Sequence, residues 1–276
     1  MVELSAGLVV MADGGRSELR QRLAIDYSES DYQQYAVVSN LTLDRPHQNV
    51  AYERFTESGP MALLPLTDDA EHRPRCALIW SIPQSQIDET MGWSDEQFLA
   101  ALQQQFGYRA GIFKQLGERH YYPLHLVRVR EQVRQGIVVL GNAAHSLHPI
   151  AGQGFNLALR GALALSAQLQ KALAEGTSLA AISMLSQFEQ GLQWDQDKTI
   201  GFSDQVTRLF STDATVPVVA RNLGLLAMDL APPVKQWFAD SAMGLDVAAS
   251  DFEGLGAFNH DHGGLNDSDI GQGNAE

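Results

Sequence analysis

Apolar and polar positions alternate in short runs over the first half of the chain and recur at helical spacing over much of the second. Leu8 to Ala12 is a brief apolar run closed by Asp13-Gly14-Gly15, which predicts a buried strand entering a tight turn. The few residues ahead of it offer no strand with which it could pair. Tyr35 to Leu43 and Asn49 to Phe55 predict two strands on either side of the turn-like Asp44-Arg45-Pro46, and Met61 to Leu66 and Cys76 to Ile82 predict two more around the charged stretch Asp68 to Arg75. Ser94-Asp95-Glu96-Gln97 has the form of a capping box and starts a helix with Phe98, Leu99, Leu102 and Phe106 on one face. Strand character returns in Tyr121 to Val129 and in Gly136 to Gly141. From Gly152 onward Leu157, Ala158, Ala162 and Leu165 fall at helical spacing, and further helices are expected across 178–210 and 217–244.

Composition narrows the class. With 276 residues, 45% of them hydrophobic, the chain can bury a substantial core. No apolar run is long enough to cross a bilayer, and Met1 to Gly7 lacks the form of a signal peptide. The single cysteine, Cys76, rules out an internal disulfide framework and suits a reducing cytoplasm. A formal net charge of -14 argues against nucleic acid as a partner, since phosphate binding needs clustered Lys and Arg. It also disfavours a broad electrostatic footprint on anionic lipid, while leaving a local apolar membrane contact open. Residues 246–276 hold seven acidic residues, no Lys or Arg and many glycines, so an acidic disordered tail is expected there.

The informative stretch runs from Gly141 to Asn156. A strand ends at Gly141, small residues Ala143 and Ala144 follow Asn142, and Pro149 precedes Gly152-Gln153-Gly154 at the mouth of a long helix. Ligands of open α/β sheets bind beyond the carboxyl ends of strands, and a helix N-terminus offers free N–H groups and a positive dipole end. Asn142 could bond a hydroxyl with both halves of its amide. The alternative is that these glycines serve only tight turns and close helix–strand packing. His145 and His148 are three residues apart, but no third ligand is evident, so no metal site is expected and turn or ligand-shell roles suit them better. His260 and His262 lie in the acidic tail and are expected to be solvated.

This stretch resembles the second FAD motif of the class A flavoprotein monooxygenases, Gly-Asp followed by Pro-x-x-Gly-Gln-Gly. Met11 to Arg20 is similar to that family's Asp-Gly motif, with Asp13, Gly14, Ser17 and Arg20 in place. Tyr52 to Thr56, Gly59 to Pro65, Trp93 to Glu96, Thr199 to Gly201 and Arg221 to Leu225 resemble the ubiquinone-biosynthesis branch, nearest to the 2-octaprenyl-6-methoxyphenol hydroxylases. Gly141-Asn142 in place of Gly-Asp is read as a marker of that branch. The resemblance implies an α/β (α+β) fold: a truncated three-layer FAD-binding domain with an inserted antiparallel β-sheet substrate domain and C-terminal helices. The expected boundaries are 1–26 for a remnant of the FAD-binding domain, 27–125 for the substrate sheet, 126–175 for the second motif and its helix, 176–245 for a helical region and 246–276 for the tail.

What the resemblance implies about chemistry is specific. The cofactors would be FAD and, as reductant, NADPH or NADH; the substrates would be a polyprenylated phenol and molecular oxygen, joined through a flavin C4a-hydroperoxide. The oxidant belongs to the cofactor, so no catalytic nucleophile is expected. Asp13, supported by Gly14, Ser17 and Arg20, would organise the meeting of flavin and nicotinamide. Asn142 would hold the ribityl or pyrophosphate region, Pro149 would sit beside the ring, backbone N–H groups from Gly152 to Gly154 would face the flavin N1–C2=O edge, and Gly141, Ala143, Ala144, His145, Gln153 and Asn156 would belong to the same cofactor site. Tyr121-Tyr122-Pro123 could line the substrate cavity or pack in the core, and Leu225 to Phe238 could form an apolar channel or ordinary core. A peripheral contact with the inner membrane and assembly with other ubiquinone-pathway enzymes are also implied. Family members open with Gly-x-Gly-x-x-Gly, and none is found: Gly152 to Leu157 and Gly254 to Asn259 both lack the third glycine. The expectation is that the ADP-binding half of the site is missing, and that the chain alone holds FAD weakly and is inactive or serves as a folding or assembly module. A related hydroxylase of a soluble aromatic is the remaining alternative.

Overall fold

The computed structural model describes residues 5–56, 58–150, 152–210, 231 and 233–236. The helices expected across 217–244, the acidic tail, and Arg221 to Leu225 lie almost wholly outside these residues.

Two sheets organise the described chain. The small one joins β1 (Val9–Met11), β8 (Val133–Arg134) and β9 (Ile137–Val139) in the order β1-β9-β8, with β1 parallel to β9. The large one has seven strands. They are β2 (Tyr27–Leu43), β3 (Tyr52–Thr56), β4 (Gly59–Leu66), β5 (Arg75–Pro83), β6 (Phe113–Leu116), β7 (His120–Val129) and β10 (His145–Ser146). Its order is β10-β7-β2-β5-β4-β3, with β6 also paired to β2, and every pairing is antiparallel. The fold is therefore mixed α/β, as expected. The two short helices α1 (Glu18–Arg22) and α2 (Ile87–Gly92) and the longer α3 (Asp95–Phe106), α4 (Gln153–Ala174) and α5 (Ile182–Phe210) complete it.

The large sheet buries one face against α3. Val37, Leu41, Leu63, Leu78 and Trp80 alternate along their strands toward Phe98, Leu102 and Phe106, which repeat every four residues along the helix. The helix begins where the sequence places it: Ser94 accepts from the Gln97 N–H while the Gln97 side chain accepts from the Ser94 N–H. Leu99 is only partly buried against the same cluster. The small sheet packs on α4 and α5 through Val133, Val138, Leu165, Leu185, Phe188 and Leu192. On α4 the inward line is Leu157, Gly161 and Leu165; Ala162 faces outward instead. A Cβ on Gly161 would stand 3.2 Å from Leu140 Cδ1, so the absent side chain lets helix and strand approach.

Three expectations change. β1 is not buried: Val9 and Val10 are 41% and 43% exposed, and only Met11 reaches the interior. Nor does it lack a partner, because the chain returns more than a hundred residues later to pair β9 beside it. β2 also starts eight residues earlier than the apolar pattern suggests, at Tyr27, since its first half carries polar residues and meets β7 across a register shift between Asp31 and Tyr35. Gln33, at φ 54°, sits within that irregularity.

Candidate functional site

The parallel pairing of β1 with β9 sets Met11 opposite Val139 and is extended by a bond from the Leu140 N–H to the Met11 carbonyl (2.8 Å). Two strands that run the same way end together, so the turns that follow them emerge side by side. One turn is Asp13 to Arg20 and the other is Gly141 to His145. Motifs separated by about half the chain thus share one edge of one sheet, the edge at which α/β sheets bind ligands.

Arg20 fastens them. The residue is 3% exposed; its guanidinium donates to the carbonyl of Ala143 (2.8 Å) and to that of Gly15 (3.0 Å), and stacks over the Tyr27 ring at 4.2 Å. Ser17 holds the same turn: its hydroxyl donates to Asp13 Oδ2 (2.8 Å) and accepts the Arg20 N–H (3.0 Å) as the cap of α1. The Asp13 side chain is kept at the exposed mouth of the turn, next to Gly14 at φ 93°. On the facing turn Gly141 has φ 62°, Ala143 and Ala144 are fully buried, and Asn142 is exposed.

The helix α4 opens at the same edge. Gly152, its cap, has φ 64°, makes no side-chain capping bond, and a Cβ there would meet nothing within 4 Å. The first N–H groups of a helix have no partner within it; that of Gln153 donates to the Ile150 carbonyl just ahead of the helix (3.2 Å), and no side chain caps the positive end of this 22-residue helix. A Cβ on Gly14 would likewise meet nothing within 4 Å, whereas one on Gly141 would stand 3.8 Å from Ala158 Cβ on α4. These residues fit a flat, electron-rich group carrying a negative edge; among the described residues no group of three or more His, Cys, Asp or Glu is arranged to hold a metal ion.

The remaining candidate residues divide by burial. Gln153 is 3% exposed and points inward, Asn156 is half-buried, and Pro149 lies part-exposed between His148 and the helix. His145 and His148 face the interior. His145 is buried against α5 beside Gln196, and burial together with the nearby Arg128 cation pulls its pKa down to about 4. Burial alone lowers His148 to about 4. Both are therefore neutral at ordinary pH. Tyr121 and Tyr122 are half or more exposed on β7, and Tyr121 meets Tyr35 with ring centroids 5.7 Å apart. Two groups escaped the sequence reading. Gln34 and Tyr32, on the irregular part of β2, contact His148 from more than a hundred residues away and carry no local motif. Phe155, Leu159 and Leu163, four residues apart, form an exposed apolar line on α4, with Phe155 74% exposed.

A family model described as FAD binding domain matches residues 2–185. Ubiquinone hydroxylase UbiL of Rhodospirillum rubrum is 33% identical over 239 residues, which are 87% of this chain and 54% of that protein. The human mitochondrial ubiquinone biosynthesis monooxygenase COQ6 is 30% identical over 263 residues, covering 83% of this chain and 55% of its own length. Among solved structures, OxyS anhydrotetracycline hydroxylase from Streptomyces rimosus superposes with a TM-score of 0.59 at 19% identity, over 87% of this chain and 46% of that one. The Diels-Alderase PyrE3 gives 0.61 at 19% identity, over 86% and 50%. These last two speak to the fold alone. The chain spans about half the length of the curated relatives it matches.

Proposed function

This chain belongs to the FAD binding domain family, and we propose that it supplies the flavin-ring and substrate side of a hydroxylase acting on a polyprenylated phenol in ubiquinone biosynthesis. The observation that carries the reading is the junction of the two motifs through Arg20, which holds Asp13 to Arg20 against Gly141 to His145 at one sheet edge. When bound, FAD would supply the redox chemistry, drawing on NADPH or NADH and molecular oxygen.

The chain's own residues would bind, orient and exclude water. Asn142, exposed at the end of β9, would hydrogen-bond the ribityl hydroxyls. The N–H groups of Gly152 and Gly154 would stabilise negative charge at the N1–C2=O edge, a preorganised electrostatic contribution that needs no side chain. Pro149 would bound the ring, and Asp13, tethered by Ser17, would present its carboxylate where the nicotinamide approaches. Neutral His145 and His148 would support the turn from behind. The large antiparallel sheet would form the wall against which the phenol lies.

Names of relatives at about 30% identity favour the ubiquinone branch, and the phenolic substrate, a peripheral membrane contact and assembly with other pathway enzymes all rest on that likeness. Among the described residues no helix is long and apolar enough to cross a membrane. The test is complementation of a strain blocked at the phenol-to-quinol step of ubiquinone synthesis, using the complete gene, with quinone content measured by chromatography. Restored ubiquinone supports the reading. No restoration, together with hydroxylation of a soluble aromatic by the purified flavoprotein, would transfer it to another substrate class.

A further inference from the structure

Many arginines in this chain are engaged by neighbours. Arg73, Arg119, Arg134, Arg160 and Arg208 each lie no more than 3.6 Å from a carboxylate oxygen, and Arg20 and Arg45 donate to backbone carbonyls. Arg16 differs. It is exposed in the turn that carries Asp13, and among the described residues no ion pair or hydrogen bond engages its guanidinium. The preceding residue fixes where it sits. A Cβ on Gly15 would stand 3.6 Å from Ser146 Oγ and 3.8 Å from the Asn142 carbonyl oxygen, so this part of the turn lies directly against the facing one.

The charges around that seam leave the cation available. Asn142, exposed on the facing turn, is neutral where the family pattern has Asp, and the whole segment from Gly141 to Asn156 holds no Asp or Glu. Of the two carboxylates on the turn of Arg16 itself, Asp13 accepts from the Ser17 hydroxyl (2.8 Å) and Glu18 lies 3.6 Å from Arg22. An anion entering here therefore meets a guanidinium and an amide, with no carboxylate on the facing turn to repel it. The planar fork of an arginine matches phosphate oxygens more closely than an ammonium does. A formal net charge of -14 opposes the approach of any dinucleotide, and a cation at the mouth of the site offsets that field where the ligand enters. Exposure narrows the choice of ligand further. A side chain in solvent suits a cofactor that arrives and leaves, whereas a resident one is held by buried or backbone donors.

We propose that Arg16 binds a phosphate group of the reduced nicotinamide dinucleotide, anchoring it while Asp13, three residues earlier, faces the nicotinamide. This rests on the flavin-hydroxylase reading above and adds a residue to it. Arg16 is a binding group for the reductant and takes no part in the chemistry at the ring. NADH and NADPH share a pyrophosphate, and NADPH alone carries a 2'-phosphate, so comparing the two separates the phosphate that is held.

Titrations of the flavin-free, 276-residue chain with NADH, NADPH and FAD in separate samples, followed by 1H–15N spectra, decide it. Arg16→Gln should weaken NADPH, NADH or both by roughly fivefold to tenfold, between an exposed ion pair and a charge-assisted hydrogen bond, and leave FAD within about twofold. Arg16→Lys, which keeps the charge and loses the fork, should fall between the two proteins. Raising the ionic strength from about 0.01 M to about 1 M shortens the Debye length from about 30 Å to about 3 Å and should shrink the advantage of the wild type, which a merely structural role would not do. Equal losses for both dinucleotides place Arg16 on the pyrophosphate, and a loss confined to NADPH places it on the 2'-phosphate. The variants remove no contact within the fold, so the unfolding midpoint should not move. Unchanged dinucleotide affinity in Arg16→Gln, or an equal weakening of FAD, overturns the proposal and leaves the flavin reading standing. A wild-type chain that binds FAD and neither dinucleotide does the same, whereas one that binds none of the three counts against both.

Discussion

Arg20→Ala removes a side chain that bonds both motif turns. Two hydrogen bonds from a charged donor, to Ala143 and Gly15, contribute about 1.5–3 kcal/mol each. The guanidinium over Tyr27 adds about 1–2 kcal/mol for a desolvated pair. Against these stands the cost of burying a cation whose Nε has no protein partner, a cost the variant no longer bears. The net loss should be about 3 kcal/mol, within the range that buried network residues show. Guanidinium chloride unfolding, read as a shift of midpoint at constant slope, measures it. Arg20→Met keeps the aliphatic stem and should retain part of the packing while losing both bonds. Hydrogen exchange supplies the more discriminating readout: Arg20→Ala should loosen residues 141–144 as well as 13–18. A loss under about 1 kcal/mol, or loosening confined to residues 13–18, would refute the claim that Arg20 joins the turns.

Other consequences follow from the same geometry. Gly152→Ala places a side chain at φ 64° with nothing within 4 Å, so stability should fall by only about 1–2 kcal/mol while FAD affinity, measured by flavin fluorescence, falls much further. A loss of stability without a loss of affinity would argue against a flavin at the start of α4. Arg160 is paired with Asp195 at 2.7 Å and tied to Thr199, with both charged side chains mostly buried between α4 and α5. Arg160→Ala leaves that carboxylate unpaired and should cost about 3–5 kcal/mol by denaturant unfolding, whereas an exposed pair such as Arg22–Glu18 should be worth little. His145 and His148 titrate near about 4 in the fold against 6.5 in the unfolded chain. Between those values the unfolded chain binds protons that the folded one refuses, so stability falls as pH drops through this window, by up to about 1.4 kcal/mol per pH unit for each histidine. His148→Gln should reduce the slope measured between pH 6.5 and 5.

Much of this was legible from local signals. The capping box at Ser94, the alternation in β4 and β5, and the strand–glycine–helix order around Gly141 are short-range patterns, and each reappears in the fold. Long-range placement was not legible. Val9 and Val10 read as core because they are apolar, yet β1 holds one neighbour only and both stay half in solvent. The exposed line Phe155, Leu159 and Leu163 was not legible either, since periodicity records that a face is apolar and not what covers it. Arg20 was expected to support its own turn; that it also bonds Ala143, 123 residues away, depends on the parallel pairing of β1 and β9. Tyr121 and Tyr122 are both half or more exposed where β7 pairs β2, a matter of strand order that aromatic content does not reveal.

The central claim is that the two turns form one flavin site. Hydrogen–deuterium exchange of the chain with and without FAD at millimolar concentration tests it directly, because weak binding still registers as protection. The account predicts that FAD slows exchange in residues 11–20 and in residues 141–156 together, with the same concentration dependence in both. Protection of neither segment, of one without the other, or of the polar groove between Arg128 and Gln193 instead, would contradict it.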